Sequence, residues 1–171
     1  WVSGGAGLGI PVGSAMSNAV DMGFSFYVSG EYTNLMKLGP LSLNAGAELG
    51  LQSFSKEESG VTTTLNNIPI NVFGTTSLGS MIGMPEGLDL KAGLGLGLFN
   101  TTTKVEAGNF ESDESEMQFG VYVPVGVTYS ISPEMRVSGQ VRAYEVLGMA
   151  GSEATQDFLN IHFTFDYMLP M

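Results

Sequence analysis

Few residues in this chain are of types that do chemistry, and their spacing limits what that chemistry is. His162 is the single histidine and there is no cysteine. Without cysteine there is no thiol nucleophile, thiolate metal site or disulfide. One histidine argues against a transition-metal centre. A Ser-His-Asp arrangement would need His162, a neighbouring Ser or Thr and an open path for substrate. No motif supplies that set. Gly93-x-Gly95-x-Gly97 has the glycine spacing of a phosphate loop, but Leu94 and Leu96 lie between and no helix pattern follows. Glycine at alternate strand positions instead makes room and permits curvature. The remaining candidate is the acidic stretch 104–116, with Glu111, Asp113, Glu114 and Glu116. Its bland reading is a solvated, flexible loop. Its sharper reading is a hard-cation site for Ca²⁺ or Mg²⁺ built from carboxylate oxygens, although the spacing does not match the EF-hand pattern.

The elements that must position these residues follow from composition and period. The chain has 171 residues and a net charge of −11, yet only 13% of its residues are charged. A typical soluble domain carries about 25%. The 43% hydrophobic content excludes acidic disorder. Six basic residues exclude a nucleic-acid partner, since little counterion could be released. The length suits one domain, 1–171. No apolar run is long enough for a transmembrane helix. No charged and apolar leader opens the chain, which begins Trp1-Val2-Ser3-Gly4 and reads as a mature or trimmed start.

Apolar and polar residues alternate almost throughout. From Leu41 to Leu51 every odd position is apolar and every even one polar or Gly. The same holds for 87–99, 116–130 and 156–168, well for 21–33 and 134–146, and less cleanly for 1–13 and 67–79. Period two is the signature of a strand with two unlike faces. The pattern predicts eight strands of about eleven to fifteen residues, where a tilted membrane strand needs about 9–11. Eight long consecutive strands without helices predict an all-β, antiparallel up-and-down barrel. The connections 14–20, 55–66, 100–115 and 147–155 read as long loops, and 34–39, 80–86 and 131–133 as short turns. That alternation is expected of an outer-membrane barrel with periplasmic termini.

A soluble lipocalin-like ligand-binding barrel would alternate too, with its apolar face inside. Its outer face should then be rich in charge. Here the polar faces are mostly Gly, Ser, Thr, Asn and Gln, which suits a narrow lumen and puts the Leu, Val and Phe faces on lipid. Trp1, Tyr32, Tyr129 and Tyr167 fall at one set of strand ends, as an aromatic belt does. Parity sends Glu31, Glu48, Asp89, Asp166, Lys91, Arg136, Arg142 and His162 into the lumen. Buried charges left alone are costly, so they should pair. Arg136 is expected to meet Asp166, and Glu48 to meet Lys91 or Arg142. The other charges gather at the outer rim as an acidic crown.

The chain resembles the small eight-stranded outer-membrane barrels, the group of the OmpA transmembrane domain, OmpX and the opacity-type proteins. The last strand, 159–167, with Phe163, Phe165 and Tyr167, resembles that group's C-terminal insertion signal, although Met168-Leu169-Pro170-Met171 follows. The resemblance implies residence in a Gram-negative outer membrane, beside the lipopolysaccharide leaflet, and a non-enzymatic structural, surface-interaction or envelope-assembly role. Envelope proteins or lateral self-association are the expected partners, and no cofactor is expected unless the acidic loops take Ca²⁺ or Mg²⁺. The rival readings are a narrow ion or small-solute channel gated by lumen charge pairs, a lipid-modifying barrel enzyme, and the soluble barrel.

Overall fold

A computed structural model describes residues 1–39, 41–108, 110–148 and 156–169. Eight strands close into one antiparallel ring in chain order. They are β1 (Val2–Val12), β2 (Gly23–Leu38), β3 (Leu41–Glu58), β4 (Val61–Ser77), β5 (Leu88–Ala107), β6 (Phe110–Ser132), β7 (Met135–Gly148) and β8 (Gln156–Tyr167), with one short helix, α1 (Ser14–Ala19), between β1 and β2. The ring closes by β1 on β8, with Val2 opposite Tyr167 and Val12 opposite Asp157. Closure leaves the ring itself no unpaired edge, which is how strands survive in lipid.

Parity fixes the faces. On β5, Leu88, Leu90, Leu94, Leu96 and Leu98 point out, and Asp89, Lys91, Phe99 and Thr101 point in. On β8, Ile161, Phe163, Phe165 and Tyr167 point out and are exposed, while Phe158, Asn160, His162, Thr164 and Asp166 are buried. Phe163 is 72% exposed and Ile70 62%. A continuous belt of such residues around the wall exceeds what a water-soluble surface carries. The soluble lipocalin-like alternative therefore fails: that barrel needs its apolar face inside, and here it is outside.

Two segments differ from expectation. Within the expected loops 55–66 and 100–115, residues 55–58, 61–66, 100–107 and 110–115 are strand. β5 and β6 are 20 and 23 residues long, about twice the ~9–11 that cross a bilayer. β3 and β4 turn at Ser59 and Gly60, whose φ values of 54° and 79° suit a tight two-residue hairpin. Val61 pairs with Ala107, and Ala107 with Phe110. The four strands β3–β6 thus stand above the rest of the ring as one sheet, here called the fin. The wall end that carries the fin and α1 is the hairpin end; the other is the terminal end. At the terminal end, segment 78–87 is a ten-residue turn, longer than either fin turn. The fourth long connection, with Glu153, lies largely outside the described residues.

Candidate functional site: the filled lumen

The terminal end of the lumen is floored by ions. Arg136 Nε donates to Asp166 Oδ2 at 2.7 Å, and its Nη2 donates to Glu31 Oε2 at 2.7 Å. Lys91 Nζ donates to Glu31 Oε2 at 2.8 Å. Two cations meet two anions, so the floor is neutral. Four different strands supply these residues: β2, β5, β7 and β8. Trp1 lies here too, with the Arg136 guanidinium 4.0 Å from its ring centroid. That corrects its assignment to the aromatic belt. Trp1 has the inward parity of Ser3 on β1, so it covers the lumen rather than facing lipid. Tyr32, Tyr129 and Tyr167 do face outward, at 58%, 52% and 42% exposure.

A second pair sits higher. Arg142 Nη1 donates to Glu48 Oε2 at 2.6 Å, and Asn71 donates to the other Glu48 oxygen at 3.0 Å. The Arg142 guanidinium lies 4.0 Å from the Tyr27 ring centroid. Burial of this pair is near complete, which is tolerable because each group has several partners. Between floor and pair lies a cavity of about 50 Å³, lined by Glu31, Lys91, Arg136, Arg142, Thr128 and Ser138 among others. A polar space of that size suits one or a few waters. Of the expected lumen charges, Lys91 goes to Glu31 and not to Glu48. Asp89 stays out of both groups and accepts from Gly79 N–H at 3.0 Å, tying the long turn.

Toward the hairpin end an apolar cluster interrupts the polar lumen, beside a buried network in which Thr101 donates to Asn67 at 2.9 Å and to Gln118 at 3.0 Å. Phe54, Leu65, Phe99, Tyr122, Tyr144, Val146 and Phe158 pack into an apolar plug. Tyr144 stacks between Tyr122 and Phe158, at 4.8 and 4.7 Å between centroids. Phe99 meets Tyr144 edge-on at 6.0 Å. Met16 within α1 and Val20 just after it complete the cluster as a lid. Lys56 Nζ holds the lid from β3 by donating to Asn18 O at 3.0 Å. Sequence reasoning read the whole lumen as polar and missed this plug. The signal was present: Phe99, Tyr122, Tyr144 and Phe158 all carry inward parity.

Inward glycines seat the bulky residues. A Cβ on Gly95 would lie 2.0 Å from Tyr122 Cε1, and one on Gly7 2.1 Å from His162 Cδ2 and 2.2 Å from Ile161 O. Gly93-x-Gly95-x-Gly97 is thus a lumen seat on β5. His162 is buried, with Nε2 2.5 Å from Ser25 Oγ and Nδ1 without a partner. A serine beside a histidine is half a catalytic arrangement. A triad also needs a group to orient the far ring nitrogen, and none bonds it here.

Carboxylates of the acidic stretch divide by parity. Glu111 and Asp113 lie on the fin's outward face, with Lys104 and Glu106. Glu114 and Glu116 lie on the other, where Glu116 accepts from Gln118 Nε2. Among the described residues, no three His, Cys, Asp or Glu converge as a metal site. Lys104 instead bridges Glu106 at 2.6 Å and Glu111 at 2.7 Å. Those hydrogen bonds, to Glu106 first and then Glu111, raise the Lys104 pKa above the ordinary 10.5.

Wall, floor and plug together define an eight-stranded transmembrane barrel with a filled lumen. Comparison with solved structures gives the same fold. Neisserial surface protein A aligns at a TM-score of 0.57 and 16% identity, over 98% of this chain and 95% of that one. Ail of Yersinia pestis, in a complex with the heparin analogue sucrose octasulfate, aligns at 0.55 and 12%, over 98% and 97%. The outer membrane enzyme PagL aligns at 0.55 and 9%, over 98% and 99%. No family model matches the sequence, and no curated protein matches it.

Proposed function

We propose that this chain is a non-enzymatic barrel of a Gram-negative outer membrane, with its termini periplasmic and its fin displayed at the cell surface for interaction. The observation that carries the reading is the fin itself. Four strands extend well past the apolar wall, and their outward face carries Glu57, Glu106, Glu111 and Asp113 against Lys104. Such a surface steers cationic partners and repels polyanions. The filled lumen supports the same reading, because floor, ion pair and plug leave it no open bore for a channel. The single test is pull-down of surface proteins on the folded barrel, with and without the fin tip (residues 56–63 and 102–115 replaced by tight turns). Partner binding that depends on the fin sustains the reading. Equal binding by the trimmed barrel overturns it.

One observation keeps an enzymatic alternative in view. PagL is an enzyme of this fold, and Ser25 and His162 do pair. Their burial, at 1% and 2% exposure, argues for a structural role. A mass change in membrane lipid that disappears in His162→Ala would favour the enzyme instead.

A further inference from the structure

The two edges of the fin are finished differently. On β3 the edge beyond β2 is covered: Asp21 N–H donates to Ser55 O at 3.2 Å, and Lys56 Nζ donates to Asn18 O at 3.0 Å. On β6 the pairing with β7 stops at Gln118 opposite Gly148, while the pairing with β5 runs on to Phe110 opposite Ala107. Among the described residues, 110–117 therefore have a neighbouring strand on one side only. All eight are exposed. The connection between β7 and β8 cannot cover this edge. β7 ends at Gly148 and β8 begins at Gln156, and the chain between them is too short to run out along the whole edge and return.

The ladder fixes which backbone groups face the opening. Ser130 N–H donates to Gly87 O at 2.8 Å, so Ser130 turns its peptide groups to the β5 side. From there the β5–β6 register runs without a shift, from Leu88 opposite Tyr129 to Ala107 opposite Phe110. Successive residues of a strand point these groups to opposite neighbours. The even-numbered residues of β6 thus bond β5, and Glu111, Asp113 and Ser115 hold N–H and C=O out to the open edge. Such a row is a template for a further strand.

The side chains select the strand that fits. Residues 110–117 carry Glu111, Asp113, Glu114 and Glu116 and no Lys or Arg. Parity puts Glu111 and Asp113 on one face and Glu114 and Glu116 on the other. Lys104 holds Glu111 at 2.7 Å. Among the described residues, Asp113, Glu114 and Glu116 form no salt bridge. A second copy of this edge is a poor occupant. It would set carboxylates against carboxylates, and like charges opposite one another destabilise a sheet. An extended segment with cations on both faces meets the carboxylates and the open row at once.

We infer that the β6 edge of the fin takes an extended Lys- or Arg-rich segment of another protein as a fifth strand. This rests on the surface reading above and deepens it: the partner is held by backbone hydrogen bonds at 111, 113 and 115, with charge on both faces of the edge.

The test uses the barrel in phosphatidylcholine nanodiscs and a fluorescein-labelled peptide repeating Lys-Lys-Thr-Thr, which as a strand has Lys on both faces. A version N-methylated at every Thr keeps the charge and loses donors on both of its edges. Fluorescence anisotropy is expected to show the wild-type barrel binding the plain peptide about tenfold more tightly than the methylated one. Amide exchange followed by NMR is expected to slow at Glu111, Asp113 and Ser115, and to change little at Ser112 and Glu114, which already bond β5. Ser115→Pro removes an edge donor without touching the β5 ladder and is expected to weaken binding about tenfold. Ser115→Ala, which loses only the hydroxyl, is expected to bind as wild type. The methylated peptide acts on unaltered protein, so it decides the matter even where Ser115→Pro does not fold. Equal binding of the two peptides overturns the inference but leaves the fin as a charged docking face. Full affinity in a folded Ser115→Pro, protection at other amides, or no binding of the plain peptide also overturns it. Equal binding to the barrel with its fin tip trimmed would remove the surface reading as well.

Discussion

Substituting Arg142 by Met tests whether the mid-lumen ion pair is a structural strut. The Glu48 side chain is 2% exposed and Arg142 6%, so solvent cannot replace the lost partner. Removing one member of a buried pair costs about 3–5 kcal/mol, because the other charge is stranded. Loss of the guanidinium over Tyr27 adds about 0.5–2 kcal/mol. Asn71 still donates to Glu48, which places the expectation near the lower end, about 3–4 kcal/mol. The assay is equilibrium urea unfolding from lipid vesicles, followed by the fluorescence of Trp1, the single tryptophan. Arg142→Met should lower the midpoint accordingly without changing the slope. The double variant Arg142→Met with Glu48→Leu should recover most of the loss, since an apolar replacement of a buried pair is often neutral. A single variant costing under about 1 kcal/mol, or a double variant whose losses simply add, would refute the argument.

Other expectations follow from the same geometry. Gly7→Ala should destabilise the barrel by at least 1–3 kcal/mol, the usual range for overpacking, because the new Cβ meets Ile161 O at 2.2 Å; Gly4→Ala, with nothing within 4 Å, should be near neutral in the same urea assay. Phe158→Ala should cost about 3–5 kcal/mol by cavity formation, and planar-bilayer recordings should stay silent because the ionic floor remains. Lys104→Met should leave the unfolding midpoint unchanged but raise amide exchange across 102–113, read by mass spectrometry. Since the Lys104 pKa is raised, its contribution to the fin tip is complete below the ordinary lysine value and is lost only as pH climbs through the higher folded one; a fin tip that loosens between pH 7 and 9 would contradict this.

Where lipid touches the wall, the sequence is easy to read. Leu41–Leu51 and 87–99 alternate cleanly because one side meets hydrocarbon and the other a crowded lumen. Once the strands leave that boundary, neither face is apolar. Thr62, Thr63 and Thr64, or Glu114, Ser115 and Glu116, then carry no period, and strand is indistinguishable from loop. Helix α1 is too short for a 3.6-residue pattern to show. The ion pairs were half legible: parity placed Glu31, Glu48, Lys91, Arg136, Arg142 and Asp166 inside, but choosing partners needs the stagger of the ring. The Arg136–Asp166 pair was readable because its residues are direct neighbours on adjacent strands. Lys91 and Glu31 come from β5 and β2, so their meeting is a cross-lumen fact. The aromatic plug was hidden by a habit of reading alternation as apolar out and polar in, when parity alone says only which side.

The floor of the lumen also has a history in time. Arg136 reaches Glu31 across 105 positions of chain, and Lys91 reaches the same carboxylate across 60. Contacts so far apart form late. Until β1 meets β8, Glu31 and Lys91 wait on separate arcs of the sheet from the Arg136–Asp166 pair, and the cost of carrying them rises as the ring narrows. The full four-residue floor is then a property of the finished cylinder, although its Arg136–Asp166 half belongs to the β7–β8 hairpin. A ring closed without β2, β5, β7 or β8 would leave the floor unbalanced or incomplete. The four residues thereby favour a ring in which those four strands have all reached their places.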